Sequence, residues 1–259
     1  MFTIYDGFSN ELSLKERYRL IQQAGFAGVV LWWGEDFGRI DYRSAPKLAR
    51  QAGLFIENIH TPFEGINNLW LDNLDGNALT EHLLECLIDC GDFKIPVMVM
   101  HLSGGENPPA FNKLGLNRIK RIVEKAEQCG IKVALENTRK TEYLRFVLDQ
   151  IDSPYLGFCY DSGHHKCRTP NDDLLFLYGS RLMSLHLHDN DGTDDEHRLP
   201  FDGKIDWSET MRKIAKTGYQ GAIALEVANL GYEDLKVEEF LQETFERAKR
   251  LENLRRQIL

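Results

Sequence analysis

Residues 131–165 read IKVALENTRKTEYLRFVLDQIDSPYLGFCYDSGHH. Two short apolar runs, 131–135 (IKVAL) and 156–160 (LGFCY), flank a longer amphipathic stretch. Each run leads straight into a carboxylate, Glu136 and Asp161. Runs of about five apolar residues separated by a helix-length segment predict strand, helix, strand, and parallel strands need such a crossover. The same alternation fills the rest of the chain. Strands are expected at 2–5 (FTIY), 28–31 (GVVL), 55–60 (FIENIH), 96–101 (PVMVMH), 182–188 (LMSLHLH) and 222–226 (AIALE).

Helices are expected between them. SLKERYRLIQQAG opens on Ser13 with Glu16 three residues later, a capping-box signature, and closes at Gly25. RSAPKLARQAG, TEHLLECLIDCG, LNRIKRIVEKAEQCG and SETMRKIAKTG each end in glycine, the usual residue just past a helix. EEFLQETFERAKRLENLRRQIL reads as a charged closing helix, either solvated or an oligomer contact. Eight strands and about eight helices alternate, so the strands are parallel with right-handed crossovers. Eight such units in 259 residues match a single (β/α)8 TIM barrel spanning 1–259. A doubly wound open sheet is the alternative, but DGFSNELS after the first strand lacks its glycine fingerprint.

Composition narrows the function. Hydrophobic residues are 42% and charged residues 27%, enough apolar content for a packed core and against disorder. The net charge of -9 argues against a general polyanion-binding surface. No apolar run approaches the ~20 residues that span a bilayer. The start, MFTIYDGFSN, has neither a basic segment nor an apolar one, so no secretory signal is expected and the cytoplasm is the expected compartment. The five cysteines, Cys86, Cys90, Cys129, Cys159 and Cys167, form no CxxC pair and suggest reduced thiols. Cys86 and Cys90, four apart on an expected helix, read as core packing.

The chemistry lies at the strand ends. Strand three ends in His60, strand four in His101, strand five in Glu136 and strand six in Asp161. Strand seven ends in His186 and His188, and strand eight in Glu226. In a parallel barrel these positions share the C-terminal mouth, where active sites form. Alternation along each strand puts Glu136 with Ala134, Asp161 with Cys159 and Gly157, and Glu226 with Ala224 and Ala222. The polar residues therefore share the face that carries small neighbours. Glu57 has the opposite parity to His60 and does not fit. Carboxylates and imidazoles gathered in one mouth need a counter-charge, and a divalent metal supplies it. Mixed nitrogen and oxygen donors suit Mn, Zn, Fe or Co rather than Ca. His164 in DSGHH and Asp195 and His197 in DDEH are further candidates. His165 and His82 are expected to face solvent.

These motifs in order, HTPF (60–63), MHLSGG (100–105), LENT (135–138), DSGHH (161–165), HLHDND (186–191) with DDEHRLP (194–200), and LEV (225–227), resemble the xylose-isomerase-like TIM-barrel superfamily over essentially the whole chain. That superfamily holds metal-dependent sugar isomerases and epimerases and also the endonuclease IV family. In the isomerase and epimerase branch, the resemblance implies one divalent ion (Mn, Zn, Co or Mg) held by Glu136, Asp161, His186 and Glu226. His186 is preferred over His188 because the family pattern has an acid three positions on, met by Asp189; His188 with Asp191 is the alternative register. In the endonuclease branch it implies three zinc ions, with His60, His101, His164, Asp195 and His197 as the additional ligands.

The resemblance thus implies a sugar (ketose or sugar phosphate) isomerase or epimerase in which Glu136 and Glu226 move a proton beside a carbonyl through a metal-stabilised enediolate. His60, His101, His164, His188, Arg139 and Arg198 would bind the substrate. Several epimerases keep an arginine shortly after the metal histidine; Gly192 stands there here, and Arg139 and Arg198 are the nearest substitutes. The alternative is a multi-zinc phosphodiesterase acting on abasic DNA. Against it stand a short chain, the acidic balance, a loop (WWGEDFGRI) with one arginine and two acids, and a lone glycine, Gly203, in FDGKIDW. Trp32, Trp33, Phe63 and Trp70 either stack on substrate or pack. The expected partner is a small sugar, with no membrane, no nucleic acid in the preferred reading, and a homo-oligomer left open.

Overall fold

The computed structural model describes residues 1–9, 11–35 and 41–257, and it places a strand on each of the eight apolar runs. They are β1 (Phe2–Tyr5), β2 (Gly28–Trp32), β3 (Phe55–His60), β4 (Val97–Met100), β5 (Lys132–Glu136), β6 (Leu156–Asp161), β7 (Leu182–His186) and β8 (Ile223–Leu225). All ladders are parallel, in the order β7-β6-β5-β4-β3-β2-β1-β8. Two bonds close the ring between β7 and β8. Leu187 N donates to Ala224 O (3.0 Å), and Glu226 N donates to Leu187 O (3.1 Å). The result is a single (β/α)8 barrel.

Among the described residues the helices are α1 (Leu14–Ala24), α2 (Ala45–Gln51), α3 (Leu74–Asp92), α4 (Lys113–Cys129), α5 (Thr141–Gln150), α6 (Ser162–Arg168), α7 (Leu174–Tyr178), α8 (Trp207–Lys216) and α9 (Val237–Arg256). Ser13 caps α1 by accepting from Glu16 N, and Gly25 ends it at φ 103°. One expected stop differs: α3 runs through Gly91 to Asp92. Lys94 at φ 55° makes the left-handed turn instead, a conformation that is uncommon for a residue with a side chain. Cys86 and Cys90 are buried on α3, as expected. The charged closing helix α9 buries Phe240, Leu241, Ala248 and Leu251 and packs against α1, α8 and β8. No described helix is long and apolar enough to cross a membrane.

The two faces of the barrel wall differ as the alternation predicts. Val133, Leu135, Phe158 and Tyr160 join the large core beneath the helices. Val97, Val99, Ala134 and Cys159 form a separate small cluster inside the ring. Glu57, unexplained by parity, is explained by a bulge. Val29 pairs with Ile56 and Val30 with Asn58, so Glu57 is skipped. A bulge leaves its extra residue unpaired and re-aims the side chains around it. Glu57 accepts a hydrogen bond from the Thr3 hydroxyl of β1, and Asn58 Nδ2 donates to Ser184 Oγ of β7 (3.0 Å). Burial pushes the Glu57 carboxyl up to about 7.

Candidate metal centre

The barrel brings the strand-end residues to one place. His60, Glu136, Asp161 and His186 are the last residues of β3, β5, β6 and β7. His101 and Glu226 directly follow β4 and β8. All six, with His188, are buried; His101, the most open, is 8% exposed.

Glu136 is the hub. Its Oε2 lies 3.1 Å from His60 Nε2 and 3.0 Å from His186 Nδ1. Its Oε1 lies 3.0 Å from His164 Nδ1 and 3.4 Å from His101 Nε2. His186 Nδ1 is also 3.0 Å from Glu226 Oε2. One donor atom from each of Glu136, Asp161, His186 and Glu226 lies within 4.8 Å of the others. Neither ring nitrogen of His186 makes a hydrogen bond, and neither do Glu226 Oε2, His101 Nε2 or His164 Nδ1. Buried polar atoms at such distances with no hydrogen-bond partner are costly unless something satisfies them. Carboxylate oxygens and imidazole nitrogens this close together can share a cation, so the donor set suits a divalent ion.

The electrostatics agree. Burial alone would raise the Glu136 pKa, but the imidazoles of His101, His186 and His164 outweigh it and hold the carboxyl well below the usual range. Burial opposes charge on His186, yet Cys159, Glu226 and Glu136 together lift it well above an ordinary histidine. Each group favours the form that carries opposite charge to its neighbours.

A second group adjoins the first. His164 Nε2 lies 3.1 Å from Asp195 Oδ2, and His197 Nε2 lies 3.5 Å from that same oxygen. His188 Nε2 lies 3.1 Å from Asp161 Oδ2, and its ring stacks on His197 at 4.1 Å. All nine candidate donors therefore converge.

A cavity of about 230 Å³ opens above Glu136 and Glu226, walled by Tyr5, Trp32, Phe63, Val227 and Ala228 and by His60, His101, His164, Asp195 and His197. No Lys or Arg lines it among the described residues. Trp32 stacks on His60 and Phe63 on His101. Trp33 and Trp70 are core residues whose indoles donate to Asp89 and to Leu102 O. Arg139 and Arg198 are not brought to the cavity: they pair with Glu106 and Glu196. Of the two histidines expected in solvent, His165 is half-buried against the Tyr160 hydroxyl (2.7 Å), and His82 lies half-buried 3.8 Å from Cys86. Asp36 and Arg39 of the WWGEDFGRI loop lie outside the described residues.

Two supporting residues, Asn137 and Ser162, have no role in the sequence reading, and a third, Asp189, serves there only to choose between His186 and His188. Asn137 donates to Asp161 O (2.9 Å) and accepts from Asp161 N (2.8 Å), fixing β6 to the loop after β5. Ser162 Oγ donates to His188 O (2.7 Å) and accepts from His188 N (3.0 Å). Asp189 faces away from the centre and accepts from Phe201 N, Ile205 N and the Trp207 indole, organising the long loop before α8. Their only sequence signal is position beside a strand-end residue.

A family model described as a xylose isomerase-like TIM barrel matches residues 18–253. The chain belongs to that family. It is 36% identical over 118 residues to an uncharacterized protein, y4fM, of Sinorhizobium fredii, covering 45% of this chain and 37% of that one. It is 29% identical over 208 residues to an uncharacterized protein of Methanocaldococcus jannaschii, MJ1311, covering 73% and 69%. A 52-residue segment is 38% identical to fructoselysine 3-epimerase of Escherichia coli O157:H7, 20% of this chain and 19% of that enzyme. Among solved structures, a D-tagatose 3-epimerase-like protein superposes with a TM-score of 0.76 at 21% identity, covering 99% and 97% of the two chains. The IOLI protein, solved with a zinc atom, gives 0.79 at 15% identity, covering 100% and 99%.

Proposed function

We propose that this family member is a divalent-metal-dependent isomerase or epimerase of an uncharged ketose or related polyol. The observation that carries the reading is the donor set of Glu136, His186 and Glu226, in which both His186 ring nitrogens and Glu226 Oε2 lack a hydrogen-bond partner, at the floor of a cavity whose described wall has no Lys or Arg. A phosphorylated substrate would ordinarily be met by such cations. The likeness to fructoselysine 3-epimerase and to a D-tagatose 3-epimerase-like fold points the same way.

Glu136, Asp161, His186 and Glu226 would hold one ion, Mn, Zn, Co or Mg. Bound there, it would supply a Lewis acid beside the substrate's carbonyl and neighbouring hydroxyl oxygens. Glu136 and Glu226 come from β5 and β8, so they reach a substrate from different sides. One carboxylate takes the proton from the carbon next to the carbonyl, leaving the enediolate. The other returns a proton to the opposite face for epimerisation; return to the adjacent carbon gives isomerisation. His101, His186 and His164 crowd Glu136 and keep it ionised. His164, on the cavity wall, is the donor for substrate hydroxyls; His188, fully buried against Asp161 and His197, does not line the cavity. Trp32 and Phe63 cover the apolar face of the sugar and exclude water.

The test is solvent exchange. Metal-loaded protein incubated with ketopentoses and ketohexoses in D2O should place deuterium next to a carbonyl. No exchange at any carbon across the panel removes the proposal.

A second reading rests on a specific observation: His164, Asp195 and His197 come together beside the first group. With nine donors, up to three ions fit a phosphodiesterase acting on abasic DNA. The described part of the cavity wall, which has no Lys or Arg, disfavours it. Metal analysis separates the two, at about one equivalent against about three, and incision of an abasic duplex decides directly.

A further inference from the structure

Cys159 stands one layer below the centre, and the proposed function gives it no task. It lies on β6 two residues before Asp161 and pairs in register with Glu136 of β5 and Ser184 of β7. Its side chain points into the ring among Val97, Val99 and Ala134 and is fully buried. Its Sγ lies within 4.8 Å of a Glu136 carboxylate oxygen and of a His186 ring nitrogen. Among the described residues, Cys159 groups with Glu136 and His186 and not with Asp161 or Glu226. His186, 1% exposed, has two ring nitrogens without hydrogen bonds. A buried imidazole normally has its second nitrogen occupied. The His186 ring and the thiol therefore lie against each other in one pocket.

The geometry points to Cys159 as a sulfur donor that, with His186 and Glu136, makes the centre select thiophilic ions such as Zn²⁺ and Co²⁺ over Mn²⁺ and Mg²⁺. Soft thiolate ligands favour Zn and disfavour hard ions, which prefer oxygen. On capture of the ion the S–H bond breaks, the electron pair goes to the metal, and one proton leaves to solvent. This inference rests on the metal reading above.

The experiment loads the whole metal-free chain with Co²⁺ and reads its absorption, then measures Zn²⁺ and Mn²⁺ affinity by competition. The wild type should show a thiolate-to-cobalt charge-transfer band in the near ultraviolet, lost in Cys159→Ser. Zn²⁺ affinity should fall about 10–100-fold in Cys159→Ser and Cys159→Ala, with Mn²⁺ affinity unchanged. Cobalt bands in the visible without the charge-transfer band overturn the sulfur donor and leave the histidine–carboxylate centre intact. So does a band that survives Cys159→Ser. A chain that binds no cobalt overturns both readings. The wild-type spectrum decides even if a variant fails to fold.

Discussion

His186 Nδ1 sits 3.0 Å from Glu226 Oε2, and the two make no hydrogen bond. The closure of the barrel creates this pair, because Glu226 N bonds Leu187 O next to His186. A carboxylate and an imidazole that close can both ligate a divalent cation once the imidazole gives up its proton.

Ion binding should therefore stabilise the fold. At a free ion concentration of one hundred times Kd, the gain is about 2.7 kcal/mol, roughly 5–10 °C in Tm for a chain of this size. Calorimetry after chelation and after Zn²⁺ or Mn²⁺ addition measures it. A Tm that ignores both ions counts against the centre.

Glu136→Gln should abolish the proposed turnover, by about 10²–10⁴-fold for loss of the acid–base role alone. It should also lower metal occupancy, because four imidazoles converge on this carboxylate. Exchange assays with elemental analysis on the same sample test both effects.

Arg139→Ala and Arg198→Ala should change KM and kcat less than about twofold, the range of ordinary surface substitutions. Both side chains are paired away from the cavity. A large rise in KM for either would mean that the loops rearrange around substrate.

The metal-free protein should lose stability in alkali. Burial opposes charge on His197, but Asp195 and Glu226 overcome it and raise the pKa to about 9. A folded-state value above the unfolded 6.5 means that the contribution is complete below that pH and is lost as pH rises through about 9. Tm of the chelated chain should fall across that window, and His197→Asn should flatten the fall. An unchanged slope in the variant assigns the titration elsewhere.

Gly163→Ala should damage the site without touching a ligand. A Cβ at Gly163 would lie 1.9 Å from His188 Cε1, so the ring would leave Asp161 Oδ2, its 3.1 Å neighbour. Overpacking of this kind costs about 1–3 kcal/mol. Thermal unfolding and the His188 ring resonances report it. The glycine of DSGHH is thus required by the neighbouring strand.

The chain's periodicity determined the eight strands, their direction and the face on which Glu136, Asp161 and Glu226 stand. Those properties follow from local alternation, which repeats every two residues and is visible in any one strand. Tertiary structure alone decided the rest. The bulge that skips Glu57 shows itself only against β2. That His186 reaches both Glu136 and Glu226 while His188 stands against Asp161 follows from the register of β7 against β6 and β8. Arg139 and Arg198, close in sequence to site residues, are drawn to Glu106 and Glu196 because loop partners are set by neighbours distant along the chain. Distances across a barrel depend on stagger between strands, a relation that no single segment of sequence encodes.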